Sequence, residues 1–385
     1  MARVLGIDPG TRSFDLVVVE DGRVVWEHSI ETNRVAQEPE SLTRAIREAG
    51  RVDAIAGPSG YGVPVTFSHE VIDPWRFSVE VLLLSRPEDI EEGVRRKDPG
   101  IMVYKALAEA VVELCRDRET RTVFIPGVVH LPTLRPGAKY NRVDLGTADK
   151  LAVTLLAAYQ YYGRSPGEAN IMVLEIGYGY NALMLVEKGR ITWGLGGTSL
   201  STGMLTAGPL DLEVVVMGRS WSRSDVFHGG VMEACGTLEP KEAVKRAKED
   251  WSGCKEAYES MMENMASIIA GIHVRTGISH LVLSGRLTRI KQLVDDLASR
   301  LPGSIRVEVL EPLEGARETK HAAHGYALVV DGVLGGVAAP ITNRMRIMDA
   351  CGTVLDHVFH PRLAEAKRRL REAYVSSVRS PKLCT

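Results

Sequence analysis

One pattern in this chain occurs twice at a fixed distance, and it restricts the fold more than any other feature. Ile7-Asp8-Pro9-Gly10, a turn, Leu16-Val17-Val18-Val19-Glu20 and Gly22-Arg23-Val24 form the first copy. Leu174-Glu175-Ile176-Gly177, Leu183-Met184-Leu185-Val186-Glu187 and Gly189-Arg190-Ile191 form the second. The offset is 167 residues with no gap, from Asp8 to Glu175, Leu16 to Leu183 and Arg23 to Arg190. Each copy reads as a strand ending in an acidic residue, a glycine-containing turn, a second strand, and a hairpin turn at Asp21-Gly22 or Lys188-Gly189. A third strand follows, Val24 to His28 or Ile191 to Trp193. Asp-Gly between two β-branched runs is a strong hairpin signal. A repeated three-stranded meander predicts two domains of one design.

Between and after the copies the pattern turns helical. Pro39 to Ala49 predicts a helix and Ala54 to Gly57 a short strand. From Tyr61 to about Gly100 the chain reads as an irregular insertion, with Pro64, Pro74 and Pro87 at loop-like positions. A helix over Met102 to Cys115, a strand over Thr122 to Ile125 and an apolar helix over Leu151 to Tyr161 follow. In the second half, Lys241 to Gly277 predicts two helices broken near Ser252-Gly253. His280 to Gly285 reads as a strand, Arg289 to Leu301 as a helix, Ile305 to Leu310 as a strand and Lys320 to Val330 as an Ala-rich helix. The order βββαβα, seen twice with insertions, predicts an α/β fold with a mixed sheet flanked by helices in each half. The expected domains are 1–165, with its insertion at about 61–100, and 166–345, with a basic helix and tail over 346–385.

Bulk properties exclude several classes. A net charge of −2 gives no global pull toward nucleic acid or an anionic membrane. The longest apolar stretch, about Tyr326 to Pro340, holds Asp331 and several glycines and is too interrupted to span a bilayer. With no charged-then-apolar leader before Arg3-Val4-Leu5-Gly6-Ile7, the expected location is the cytoplasm. Five scattered cysteines with no C-x-x-C pair argue against a zinc ribbon, an iron–sulfur cluster or a disulfide framework. Free thiols are the expectation. Arginine outnumbers lysine and amides are few, as a hot-growing source or genome composition would each produce.

The chemistry sits at the repeated turns. A hairpin presenting Asp-x-Gly at its tip suits phosphate and Mg²⁺, because glycine lets backbone N–H groups approach phosphate oxygens and a carboxylate can hold the ion through its waters. Asp8-Pro9-Gly10-Thr11 alone is also a common turn. Its return as Glu175-Ile176-Gly177-Tyr178-Gly179 points to two loops gripping one polyphosphate.

On these residues the chain resembles the acetate and sugar kinase, Hsp70 and actin superfamily. Asp8 to Ser13 are similar to its first phosphate motif and Glu175 to Asn181 to its second. Leu281-Val282-Leu283-Ser284-Gly285-Arg286 resembles its adenosine motif, and Ala322 to Leu328 its closing helix. Ala56 to Gly62, Gly146 to Lys150 and Gly194 to Thr198 resemble an archaeal family described as predicted butyrate kinases.

The resemblance implies two tandem ribonuclease-H-like domains with mixed five-stranded sheets, and ATP with Mg²⁺ in the interdomain cleft. It implies Asp8 and Glu175 as metal holders, with Gly10, Thr11, Arg12, Gly177, Gly179, Asn181, Gly196, Gly197 and Thr198 toward the phosphates. Ser284, Gly285 and Arg286 would lie at the adenosine. Asp149 is the candidate base beside catalytic Asp8, or else a helix-start charge. Ser59, Tyr61, Arg135 and Lys150 are candidates for the acceptor, a short-chain carboxylate such as butyrate being favoured. Glu175 stands where Asp is usual, Tyr180 where a small hydroxyl residue is usual, and Arg286 where a second glycine is usual. These departures bear on the rate of transfer more than on nucleotide binding. The rival class is a nucleotide-gated regulatory or activator protein without small-molecule kinase activity. The expected partner is a small molecule rather than nucleic acid or membrane, and a homodimer is compatible.

Other signals fail on context. Gly177 to Ala182 matches a dinucleotide fingerprint, but a strand pattern follows it instead of a helix. No P-loop is present. His321 and His324 have helical spacing without a third ligand nearby, and Met261, Met262 and Met265 read as helix core.

Overall fold

A computed structural model describes residues 2–222 and 224–384. The meander folds as β1 (Arg3–Pro9), β2 (Ser13–Glu20) and β3 (Arg23–Glu31). Then come β4 (Ala54–Ala56), β5 (Thr66–Phe67) and β6 (Arg121–Phe124). The second copy supplies β7 (Ile171–Ile176), β8 (Asn181–Glu187) and β9 (Arg190–Leu195), followed by β10 (His280–Ser284) and β11 (Arg306–Val309).

The sheets are ordered β3-β2-β1-β4-β6-β5 and β9-β8-β7-β10-β11. Removing β5 leaves one topology used twice, so the sequence repeat is a repeat of the strand plan. Both sheets are mixed: β1 runs antiparallel to β2 and parallel to β4, as β7 does to β8 and β10. The first sheet has six strands instead of the expected five, because two residues of the insertion add β5 antiparallel to β6.

Compactness groups residues differently from the repeat. Met1–Ala169, Glu187–Trp193 and Glu311–Thr385 form one unit, and Asn170–Val186 with Gly194–Leu310 form the other. The reason is the helix His321–Val333, which follows β11 in sequence and packs on β1 and on the helix Ala148–Tyr162.

Strand alternation explains that packing. Leu5 and Ile7 join Phe14, Leu16, Leu42 and Leu107 in a buried cluster on one face of the first sheet. Val4, Gly6 and Asp8 therefore point to the other face. A methyl group at Gly6 would lie 2.2 Å from the Ala323 carbonyl oxygen, so the helix rests on bare backbone there. The same closeness holds where Gly325 meets the Ala152 carbonyl, at 2.2 Å.

The expected helices form, with one revision. The insertion is largely helical: Pro74 and Pro87 occupy first-turn positions of helices, the second running Pro87–Arg96, and the next helix starts at Pro99. Proline at a helix start loses an N–H that has no partner anyway, so these prolines mark beginnings instead of loops. The break near Ser252-Gly253 is present, between Pro240–Lys248 and Cys254–Thr276. Met261, Met262 and Met265 are buried in the latter.

The cysteines overturn the free-thiol expectation. Cys235 is bonded to Cys254 and Cys351 to Cys384, leaving Cys115 free. An odd count requires only one leftover thiol; pairing is decided by approach, and the Cα separations are 4.4 Å and 5.0 Å. Among the described residues no helix is long and apolar enough to cross a membrane.

Candidate functional site

In the first unit the hairpin β1–β2 pairs Asp8 directly with Asp15. Cross-strand partners point to the same face, with Cβ atoms about 5 Å apart, and like charges so placed repel. Asp15 is fully buried and Asp8 nearly so. The repulsion is answered by a residue that sequence reading did not single out. Lys320, immediately before the helix that covers this face, gives its ammonium to Asp8 Oδ2 and holds it 3.6 Å from Asp15 Oδ2. The Lys320 backbone N–H donates to Asp15 Oδ2 at 3.3 Å. The hydroxyls of Ser13 and Ser29 donate to Asp15 Oδ1 at 3.1 Å and 2.5 Å.

A second acid–base pair lies close enough to be felt. Asp149, in the first turn of Ala148–Tyr162, accepts from the Thr147 hydroxyl on one oxygen and from the Lys150 ammonium on the other. Burial pushes the Asp149 carboxyl up, but Lys150 and these two hydrogen bonds outweigh it and hold the acid below the usual range. Asp8 goes the other way. Burial raises it to about 6, against the lowering by Lys320, and the negative charge of Asp149 adds to the rise. Tyr326, buried on the covering helix, feels both carboxylates; burial and then Asp149 and Asp8 push its phenol well above the ordinary value. The Ser59 backbone N–H donates to that phenol. Three carboxylates, two ammonium groups and one phenol thus converge at the ends of β1 and two helices.

The loops around this cluster are fixed by backbone contacts. Ala148 N–H donates to Gly60 O at 3.3 Å and Val128 N–H to Gly146 O at 2.8 Å, tying the start of Asp149's helix to the turn after β4. Asp144, whose Oδ1 accepts the Gly146 N–H at 2.9 Å, is pushed up to about 6 by burial.

The candidates divide on inspection. Asp8, Asp149 and Lys150 come together. Gly10 leaves a hollow that Lys320 fills: a methyl group there would lie 2.1 Å from the Lys320 nitrogen. The Gly10 N–H turns inward to Asp8 O and Ser13 O, both at 3.1 Å, so it is not aimed at an incoming phosphate. Thr11 and Arg12 stand exposed at the tip. Ser59 is fully buried, and its hydroxyl is spent on the backbone, donating to Gly57 O at 2.8 Å and accepting from Ile125 N–H at 3.0 Å. Tyr61 is half-buried on the same turn. Arg135 lies two-thirds exposed, 3.8 Å from Glu187, an ion pair that draws it toward the β8–β9 turn.

In the second unit Glu175 pairs across the strands with Ala182. The turn closes by Gly177 N–H donating to Tyr180 O at 2.9 Å. A methyl group at Gly177 would fall 2.6 Å from Tyr180 O and 3.3 Å from Glu175 Oε2, so the turn packs closely on that buried carboxylate. Asn181 is buried; its amide donates to Ser201 Oγ at 3.0 Å and Thr202 O at 3.2 Å, while its Oδ1 is buried without a partner. Gly179 accepts from Leu205 N–H, at 3.5 Å. Ser284 ends β10 beside Glu175 in parallel register. Gly285 follows at φ +95°, where a methyl group would lie 2.3 Å from Ile176 O, so this turn sits on the backbone of the Glu175 strand. Arg286 next to it is half-buried. Gly196, Gly197 and Thr198 form the turn after β9, and Gly197 begins a 3₁₀ helix there. This unit thus gathers Glu175, Gly177, Asn181, Ser284 and Gly285 at adjacent strand ends.

His324 has a structural part. Leu313 N–H donates to its Nδ1 at 3.3 Å, and its Nε2 lies 3.0 Å from the Thr319 hydroxyl, which donates to Glu27. Among the described residues no group of three His, Cys, Asp or Glu side chains is arranged to hold a metal ion.

The two sheets, with one strand plan used twice, have the fold of solved acetate and propionate kinases. A propionate kinase from Francisella tularensis subsp. tularensis SCHU S4 is similar with a TM-score of 0.51 and 13% identity, over 85% of this chain and 98% of that one. Porphyromonas gingivalis acetate kinase is similar with a TM-score of 0.50 and 12% identity, over 90% of this chain and 100% of the other. At such identities the likeness is one of fold. Residues 6–360 match the family described as protein of unknown function, DUF1464, and the chain belongs to that family. No curated protein matches it in sequence.

Proposed function

We propose that this chain is an ATP-dependent kinase for a small acceptor, with a short-chain carboxylate such as butyrate the favoured substrate class, acting in the cytoplasm. The observation that carries the reading is the buried Asp8–Lys320–Asp15 arrangement at a hairpin tip beside Asp149 and Lys150. The fold is one that acetate and propionate kinases share.

The residues fit a nucleotide and its metal. Asp8 would hold Mg²⁺ through its waters, with Glu175 the corresponding carboxylate of the second hairpin. When bound, the ion supplies charge neutralisation for the phosphates. Gly177 and Asn181 would lie on the polyphosphate side of the second hairpin, and Ser284, Gly285 and Arg286 toward the adenosine. Phosphoryl transfer demands chiefly positioning and charge matching from the protein. A carboxylate acceptor arrives ionised and needs a cation; Lys150 serves that role, with Asp149 fixing its ammonium. An alcohol acceptor would instead give its proton to Asp149, which its neighbours keep ionised. Both disulfides are compatible with a cytoplasmic site in a hyperthermophile, where intracellular disulfides are common.

Calorimetric titration with Mg·ATP, paired with a panel of short carboxylic acids and pantothenate followed by ADP release, tests the reading. Binding with release for one acceptor supports a kinase and identifies its substrate class. One observation favours a second reading, a nucleotide-gated regulator: Asp8 already has its charge matched by Lys320 without any ligand. Nucleotide binding with no release for any acceptor would favour that alternative.

A further inference from the structure

Lys320 belongs to neither repeated hairpin, yet it holds the first one together. The register of β1 and β2 forces two carboxylates into one buried spot. Asp15 is fully satisfied there: two hydroxyls bind one oxygen, and the Lys320 backbone N–H binds the other. The ammonium is therefore committed mainly to Asp8, the group expected to meet a divalent ion.

Its position is as informative as its partners. The nitrogen fills the hollow left by Gly10 at the turn. Gly10's own N–H is already used within the turn. What this hairpin offers an anion is thus a lysine. Among the three ionised side chains Lys320 is the most exposed, at 17% against 4% for Asp8 and 0% for Asp15, so an incoming anion meets the cation first.

We propose that Lys320 is the phosphate-binding cation of the Asp8 hairpin, receiving the terminal phosphate of a nucleoside triphosphate while competing with a divalent metal for Asp8. This rests on reading the hairpin as a phosphate site. In the ligand-free protein the ammonium serves as the internal counter-ion of Asp8. When metal takes the carboxylate, the ammonium turns toward the phosphate oxygens without leaving the hollow. A charge-assisted contact made only to the terminal phosphate separates triphosphate from diphosphate.

The experiment uses the full chain and two binding readouts, neither requiring turnover. Calorimetry compares ATP with ADP in the presence of Mg²⁺, and Mn²⁺ resonance counts metal bound without nucleotide. Lys320→Met is expected to lose about tenfold or more in ATP affinity while ADP affinity is kept. Its Mn²⁺ affinity is expected to rise severalfold, because the competitor is gone. Lys320→Arg should retain most of the ATP preference. Where Lys320→Met alone fails to fold, Asp15→Asn/Lys320→Met preserves the net charge of the trio and is measured in its place. If the native chain binds ATP but Lys320→Met leaves both the ATP-to-ADP ratio and the Mn²⁺ affinity unchanged, the assignment of Lys320 is wrong and the kinase reading stands. If the native chain binds neither nucleotide, the phosphate-site reading itself fails, and this proposal with it.

Discussion

The two hairpins share one backbone plan and differ in charge. Asp8 faces Asp15 across the strands, whereas the corresponding pair in the second copy is Glu175 and Ala182. The first hairpin therefore needs a cation and recruits Lys320 from a helix more than 300 residues away in sequence. The second sets its carboxylate opposite an alanine, beside glycine turns and a buried amide. The strands are alike while the charges opposite them differ, and on the proposed function Asp8 would carry the larger share of the ion and phosphate chemistry. Each half can be tested by making it resemble the other.

The largest effect is expected from giving the second hairpin the charge it lacks. Ala182→Asp would place a second buried carboxylate opposite Glu175, where the native chain has a methyl group. Unfolding free energy should fall by about 3–5 kcal/mol, the scale of an uncompensated buried charge. Denaturant titration measures it. A variant as stable as the native chain would mean that the second hairpin tolerates paired carboxylates, and that Lys320 is not what makes the first one viable.

Next in size is the catalytic contrast. Asp8→Asn should reduce Mg-dependent phosphoryl transfer by about 10²-fold or more, the scale seen when one preorganised electrostatic group is lost. Glu175→Gln should cost about tenfold, as for a group acting on the ion through others. Steady-state ADP release reports both. Equal losses would erase the division of labour drawn above.

The sequence carried the frame of this comparison and hid its key contact. The 167-residue offset, the hairpin turns and the helical periods were all readable, because each is set by neighbours within a few residues. Asp8 was readable for the same reason. Asp15 could have been found by pairing the hairpin, since a tight turn between Pro9 and Ser13 fixes which residue faces Asp8. Lys320 could not: it precedes an Ala-rich helix, and only the packing of that helix onto the Gly6 face of β1 brings it to Asp8. Ser59 misled in the opposite sense. A serine in a glycine turn reads as available, and only the three-dimensional course of Ile125 shows its hydroxyl engaged. The disulfides were invisible for the same cause, since cysteine spacing says nothing about Cα approach.

Acid sharpens the comparison of the two units. His130 and His324 both lie in the first unit, and burial lowers each to about 4, against the weaker raising effects of the Gly127 carbonyl on His130 and Asp15 on His324. A folded-state pKa below the ordinary 6.5 means the folded chain binds fewer protons than the unfolded chain between those values. Their stabilising contribution is complete above about pH 6.5 and is lost as pH falls toward 4. Asp8 and Asp144, raised to about 6, oppose this: below pH 6 the folded chain holds their protons more readily, and stability is gained as pH falls toward 3.8. Comparison with His324→Asn isolates the histidine. The native chain's advantage at pH 7 should shrink by up to about 3 kcal/mol by pH 4. Hydrogen exchange resolved by unit reads this out, with the loss confined to amides of the first unit.

The smallest effect separates the turns that follow equivalent strands, Ser59 after β4 and Gly285 after β10. Both sit where a ligand is expected, but they are held in place differently. Ser59 uses its side chain to close its own loop, donating to Gly57 O and accepting from Ile125 N–H. Gly285 closes its loop by having no side chain at all, resting 2.3 Å from Ile176 O at the position a methyl group would take. Ser59→Ala removes both hydrogen bonds and leaves the buried Ile125 N–H without a partner, which should cost about 1–2 kcal/mol of stability. Acceptor affinity should be unchanged, because the hydroxyl is fully buried and its proton is committed to Gly57 O. Gly285→Ala should instead weaken nucleotide binding, since the turn must move off the Glu175 strand to admit a methyl group. If Ser59→Ala raises the Michaelis constant for the acceptor at unaltered stability, the hydroxyl turns toward substrate in the working enzyme. The first-unit turn would then be a recognition loop rather than a structural one.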